Sequence, residues 1–470
     1  MATFIAVLCL IAIVICVPLV VLKPKWVFYI FLISVTFHSV LAGYINSAGN
    51  LGMPRTWAPA DILAWLTLAA ALFVPRERQC PSGVIGKCFI VIAILTALAL
   101  IQGLLMYTQT AFTHSRVAHF VAAMIFGLRY FTNYSRTNGF LKFMVVLLLA
   151  MFVVHILIRF GAFTTRAAEI DTPSQLGGER GTYSLVPLLY LSLVSIAIGR
   201  LVSKVGLAAV SLLVLMVGIG GIMLSETRSM YGAMAVLAIA SLLFIKGRAR
   251  TLLAFGIVGL LMVGAASAVG FDFLERFRAG TTRSGQAEIP SPFQKDTWRA
   301  LEHEIILSSY KQEPYFILTG RGIGALHPAP AGKSPLVGFY HSEYLGWLDR
   351  SGLLGLVTVL ILIFAVLVRS FALSGSDIPY MRYYGATCFL LMIGLAADGF
   401  FHPIFSNPRG APLLICFAAI TANWQDISAS LYQEDDIPEE ESFEEEEPYP
   451  ELTYAHTDNN IESNPEYFTY

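Results

Sequence analysis

An all-α, polytopic integral membrane fold is predicted by three properties of this 470-residue sequence. Of its residues 56% are hydrophobic, only 13% are charged, and apolar stretches long enough to cross a bilayer recur along it. Soluble globular chains carry about 25% charged residues, so most of this chain cannot face water. Nothing in the composition suggests a nucleic-acid partner.

A helix rising 1.5 Å per residue needs about 20 residues to cross ~30 Å of hydrocarbon. Stretches that meet or approach that length lie at 3–22, 26–46, 58–75, 85–106, 115–131, 141–160, 184–201, 206–224, 230–246, 251–270, 352–371, 382–400 and 410–424, which predicts about 12–13 transmembrane helices. The first ends at Lys23-Pro24-Lys25 with no Ala-x-Ala cleavage site, so it reads as a retained span and not a removed signal peptide. The stretch 115–131 is the most polar, holding Arg116, His119 and Arg129.

The distribution of Lys and Arg orients the spans. One alternating set of loops holds fifteen of them, among them Lys23, Lys25, Arg76, Arg200, Lys204, Arg250 and Arg382; the other set, apart from the long loop 271–351, holds seven. The richer side is expected to be cytoplasmic. The long loop, the connection after Gly161 and the turn 225–229 then face outward, and the C-terminus faces the cytoplasm. The chain divides into a membrane unit, 1–424, and an acidic tail, 425–470. Of the 32 Asp and Glu residues fifteen lie between Asp426 and Glu466, where there is no Lys or Arg. So much like charge with so few apolar residues predicts disorder there. The six cysteines show no metal-ligand spacing and mostly fall inside apolar runs, which predicts neither a disulfide framework nor a metal site.

Three motifs on the predicted outer face carry chemistry. The first, Gly177-Gly178-Glu179-Arg180-Gly181-Thr182-Tyr183, ends an outward loop just before Pro187 opens a span. A cation flanked by glycines lets backbone donors approach an anion, although an arginine at that depth also snorkels to lipid phosphates. In the second, Leu224-Ser225-Glu226-Thr227-Arg228-Ser229, helix capping accounts for the hydroxyls but not for Arg228. The third joins Gly320-Arg321-Gly322-Ile323-Gly324 to His341-Ser342-Glu343-Tyr344-Leu345 just ahead of a span. No strand-to-helix crossover accompanies these glycines, so they read as a tight turn bringing Arg321 toward the membrane surface and not as a nucleotide fingerprint. An imidazole such as that of His341 exchanges protons near neutral pH.

The order of these motifs, Arg-Gly-Thr, then Thr-Arg, then a long outward loop, then Gly-x-Gly and His before a span, resembles the signature region of the bacterial O-antigen ligase and polymerase superfamily over residues 177–360. Two departures stand out. Thr227-Arg228 replaces the usual Ser-Arg but keeps the hydroxyl. His341-Ser342 replaces the usual His-Asn, which keeps the imidazole and alters what orients its ring or recognises the acceptor.

The resemblance implies a metal-independent membrane glycosyltransferase without cofactors, working on the periplasmic face of the bacterial inner membrane. Its donor would be an oligosaccharide on undecaprenyl diphosphate, and its acceptor a glycan or lipid-linked glycan in O-antigen or exopolysaccharide polymerisation or ligation. His341 would accept the proton of the attacking hydroxyl, and Arg180, Arg228 and Arg321 would hold the diphosphate, since guanidinium forks match phosphate oxygens. Gly181, Thr227, Gly322, Gly324, Ser342, Glu343 and Tyr344 would support them. Membrane lipid is a further partner, and polysaccharide-assembly proteins are candidate partners of the tail. A protein hydroxyl as acceptor stays open. So does a transporter or flippase for lipid-linked glycans, whose path would use His38, His119 and His155 at membrane depth, and so does a non-enzymatic assembly role.

Overall fold

The computed structural model describes residues 2–37, 59–75, 83–159, 186–225, 228–246, 248–268, 306–327, 336–337, 342–402, 404–405 and 410–435. Each of the thirteen predicted stretches overlaps a helix: α1 (Ala2–Leu22), α2 (Pro24–Thr36), α3 (Pro59–Phe73), α4 (Val84–His114), α5 (His119–Tyr130), α6 (Tyr134–Arg159), α7 (Val186–Ser203), α8 (Ala208–Leu224), α9 (Arg228–Phe244), α10 (Arg248–Ala268), α12 (Glu343–Ser374), α13 (Pro379–Asp398) and α14 (Ala411–Ala422). Between α10 and α12 lie a helical segment at 306–312, the single turn α11 (Phe316–Thr319), and β1 (Leu326–His327) paired antiparallel with β2 (Leu336–Val337). That two-residue ladder apart, the described residues are all-α.

The stretches 84–108, 134–157 and 343–374 are each long and apolar enough to cross a membrane unaided, and eight shorter apolar helices accompany them. Outward faces carry large apolar side chains in the open, Leu22, Leu105 and Leu260 among them. In water such surface would be a liability, whereas lipid solvates it. The chain is an integral membrane protein.

The polar stretch 115–131 folds as a single 3₁₀ turn, Ser115–Ala118, followed by α5. At 12 residues α5 reaches ~18 Å, short of the hydrocarbon thickness. It packs on α14, also 12 residues, whose side chains from Ala411 to Thr421 are all buried. Its charges are matched: Asp61 takes Arg116 Nε at 3.0 Å and His119 Nε2 at 3.0 Å. His155 Nδ1 lies 3.2 Å from the Tyr190 hydroxyl. Of the three histidines considered for a transport path, His119 and His155 are thus paired, and His38 lies outside the described residues.

Helix α13 is the hub, packed against α7, α9 and α12. Small residues bring these helices close. A Cβ on Gly221 of α8 would stand 2.6 Å from the Tyr190 ring of α7, and one on Gly199 of α7 would stand 2.4 Å from Thr387 of α13. Cys16, Cys88, Cys388 and Cys416 are free and buried.

Two boundaries differ from the sequence reading. Helix α12 begins at Glu343, nine residues before the predicted span, and breaks at Gly352, where φ is 67°. The 22 residues beyond the break measure ~33 Å, one bilayer core; the nine before it form a separate arm. Residues predicted to open the disordered tail instead form α15 (Trp424–Asp435). Its apolar side seats Ile427 in the core and Trp424 under the Arg369 guanidinium at 3.9 Å, and Ser430 Oγ accepts the Tyr134 N–H at 2.8 Å. Residues 436–470 lie outside the described part.

Candidate functional site

Sequence places Arg228 at the first position of α9 and Ser342-Glu343-Tyr344 at the start of α12, 114 residues apart in numbering between Arg228 and Ser342. The fold brings both helix starts to the C-terminal end of α13. Ser342 Oγ donates to the Gly399 carbonyl at 3.4 Å and Glu343 N–H to the same carbonyl at 2.9 Å. Tyr344 O–H donates to the Ala396 carbonyl at 2.8 Å. The Glu343 carboxylate is completely buried, where it accepts the Ile404 N–H at 2.6 Å and the Trp347 indole N–H. A buried carboxylate left unpaired would be costly; here it staples the arm of α12 to the chain leaving α13.

On the other side of that corner, Ser229 Oγ lies 3.0 Å from His402 Nδ1, and the same nitrogen lies 3.0 Å from Asp398 Oδ1. Asp398 and His402 are both buried. A carboxylate on Nδ1 favours the tautomer with its proton there, shared between Asp398 and Ser229, and leaves Nε2 as the basic nitrogen. Helix capping alone would account for Ser229 in the sequence, and no polar motif there includes Asp398 or His402. The signal was present: an acid and a histidine four apart in Asp398-Gly399-Phe400-Phe401-His402 at the end of an apolar span, where ionisable groups are rare and tend to be functional.

The glycine motif does form a tight turn, with Gly320, Gly322 and Gly324 at φ of 73°, 91° and 86°. Its purpose is close packing. The turn threads between α4 and the arm of α12: Arg321 N–H donates to the Asp349 carbonyl at 2.6 Å, Gly322 N–H to the Arg350 carbonyl at 3.1 Å, and Ile323 N–H to the Ala99 carbonyl at 2.8 Å. A Cβ on Gly322 would stand 2.8 Å from the Gly103 nitrogen. Arg321 turns inward instead of standing open. Its guanidinium meets Glu313 Oε2 at 2.9 Å and the Ser309 carbonyl at 3.3 Å, with the Phe316 ring 4.9 Å away. Both bonds use Nη2, and its Nε–H has no partner among the described residues.

Beside it Asp349, fully buried, joins His327 Nε2 at 3.1 Å and the Tyr310 hydroxyl at 3.3 Å. Burial, and then the Asp349 charge, push the Tyr310 phenol above its ordinary pKa. This cluster clamps the turn to α12.

Arg180, Gly181, Thr227 and His341 lie outside the described residues, and of Arg228 only the backbone is described.

Comparison with protein families matches residues 211–360 to the O-antigen ligase family. The matched stretch runs from α8 into α12 and includes Thr227, Arg228, the glycine turn and His341 to Tyr344; Arg180, Asp398 and His402 fall outside it. Comparison with curated proteins finds no match. The matched stretch is similar to the O-antigen ligase family, and the apolar helices mark the chain as a membrane protein.

Proposed function

We propose that the protein transfers a glycan from undecaprenyl diphosphate to a sugar hydroxyl on the periplasmic face of the bacterial inner membrane, with its C-terminal tail cytoplasmic. The observation that carries this reading is the corner at the end of α13. Ser342, the neighbour of His341, and Ser229, the neighbour of Arg228, are both hydrogen-bonded there. Successive Cα atoms are ~3.8 Å apart, so two motif residues distant in sequence each stand one residue from a shared anchor.

In this mechanism His341 accepts the proton of the acceptor hydroxyl as its oxygen bonds to the anomeric carbon. The bond from that carbon to the diphosphate oxygen breaks, and its electron pair leaves with the diphosphate. Arg180 and Arg228 stabilise the charge growing there, each through two parallel N–H donors. Asp398 and His402 position the start of α9, and Glu343 positions the start of α12. Arg321 holds the glycine turn and contributes to the diphosphate site.

The test incubates detergent-purified protein with undecaprenyl-diphosphate oligosaccharide and no nucleotide or metal. Release of undecaprenyl diphosphate together with a longer glycan is the expected result. Passage of intact donor across vesicles without cleavage would replace transfer with transport. Cleavage that occurs only when a hydroxyl-bearing peptide is supplied would move the acceptor to protein.

A further inference from the structure

At the end of the bundle opposite Ser229 and His402, a cavity of about 320 Å³ opens between the C-terminal end of α7 and the N-terminal ends of α8 and α10. Arg200, Lys204 and Arg250 line it, and no Asp or Glu does. Lys204 and Arg250 are exposed, and among the described residues neither has an acidic partner. Arg200 donates Nε–H to the Val205 carbonyl at 3.4 Å, and Gly206 gives its guanidinium room: a Cβ there would stand 2.2 Å from Nη2.

Lys204 adds an independent observation. At φ 59° it is the one non-glycine residue in the left-handed region among the described residues. It occupies the position after a helix end closed by the Val205 N–H to Arg200 carbonyl bond at 3.0 Å, where glycine is the usual residue because a side chain is strained there. A lysine kept in that conformation trades local stability for a cation at the mouth of the cavity.

The remaining wall is apolar. Leu212, Leu253 and Ile257 line the cavity, and Leu253 and Ile257 continue outward along α10 to Leu260, exposed by 64%, 37% and 76%. Cations at a helix-end mouth with a lipid-facing apolar stripe running from it suit an amphiphile with an anionic head.

We propose that this cavity binds an anionic glycerophospholipid, its phosphate held by Arg200, Lys204 and Arg250 and an acyl chain lying along Leu253, Ile257 and Leu260. Basic pockets between membrane helices recognise such headgroups. A free phosphate would gain nothing from the stripe.

The test measures equilibrium binding of dioleoyl phosphatidylglycerol to the full chain in neutral detergent. The triple variant Arg200→Gln, Lys204→Gln, Arg250→Gln is expected to lose about a hundredfold in affinity, the sum of three single-charge attractions at a membrane surface. Lys23→Gln, Lys25→Gln, Lys87→Gln removes three cations that do not line the cavity and should bind as the parent does. Lys204→Gly relieves the left-handed strain, so it is expected to melt at a higher temperature while binding phosphatidylglycerol more weakly, which separates lost binding from lost folding. Parental affinity in the first triple variant overturns the proposal, as does equal loss in the second. Equal affinity for dioleoyl phosphatidylcholine, or competition by inorganic phosphate at the same affinity as the lipid, overturns it too.

Discussion

Ser229 Oγ and His402 Nδ1 stand 3.0 Å apart although 173 positions separate them in the chain. Through that contact the first turn of α9 rests on the Asp398–His402 pair, and the arginine at the head of α9 inherits its position from a buried imidazole. Removing Ser229 therefore acts beyond its own hydrogen bond. Ser229→Ala should cost about 1 kcal/mol of stability and slow glycan transfer by about tenfold, the factor that 1.4 kcal/mol represents. Asp398→Ala, which leaves the buried His402 N–H without its carboxylate acceptor, should cost about 1–3 kcal/mol and lower the amount of folded protein in membranes. Parental transfer by Ser229→Ala would mean that the contact does not set the place of Arg228.

Glu343 satisfies two N–H groups at once, so its replacements should rank by acceptor capacity. Glu343→Ala leaves the Ile404 N–H and the Trp347 indole N–H without an acceptor, at about 1–3 kcal/mol each. Glu343→Gln keeps one acceptor oxygen and should melt between the parent and the alanine variant in a detergent thermal scan. A glutamine variant that melts no higher than the alanine variant would show that the charge, and not the acceptor, holds the corner.

Gly322→Ala places a side chain at φ 91° and 2.8 Å from the Gly103 nitrogen. Backbone strain of that kind costs about 1–3 kcal/mol before the clash is counted. Gly139→Ala is the matched control. It lies in α6 with nothing within 4 Å of its Cβ position, and alanine in a helix gains up to about 1 kcal/mol over glycine. Thermal unfolding should therefore move in opposite directions in the two variants.

The proposed chemistry gives distinct signatures for the motif residues. His341→Ala should slow transfer by about 10²–10⁴-fold with donor binding retained, as loss of a general base does. His341→Asn should be nearly as slow, because an amide takes up no proton at neutral pH. Arg180→Lys and Arg228→Lys should lose most transfer at normal abundance, since an ammonium cannot reproduce a two-pronged contact. Full activity in both lysine variants would make those arginines interface anchors.

Orientation is open to chemical labelling. A cysteine introduced between residues 271 and 305 should react with a membrane-impermeant thiol reagent in intact spheroplasts, and one introduced between 440 and 470 should not. The opposite pattern would put the three motifs in the cytoplasm and remove the basis for a periplasmic reaction.

Apolar run length made the helices legible in the sequence, because twenty consecutive apolar residues have few other ways to satisfy their backbone. Where charges intervene, the same rule fails. Glu343, Asp349 and Arg350 read as a water-facing loop, yet their residues form the arm of α12, because the fold pairs both carboxylates while burying them completely. Trp424, Ile427 and Leu431 are too few to register beside the acidic run that follows, although they lie on one side of α15 and pack against the core. The glycine motif announced a turn, but not that its neighbour Arg321 would be spoken for by Glu313, a partner eight residues back that no motif includes. Asp398 and His402 carry no motif signal because one ends an apolar span and the other follows it, instead of belonging to a polar cluster. Run length measures hydrophobicity, and their importance lies in pairing.

The break at Gly352 has a mechanical consequence. Beyond it α12 packs against α13, and that packing sets its tilt. The arm before it is fixed to soluble-side neighbours, to Gly399 and Ile404 at one end and to the glycine turn at the other. The joint lets the arm leave the direction of the long segment, so the residues at its head meet the chain leaving α13 while the segment beyond the break follows α13 itself.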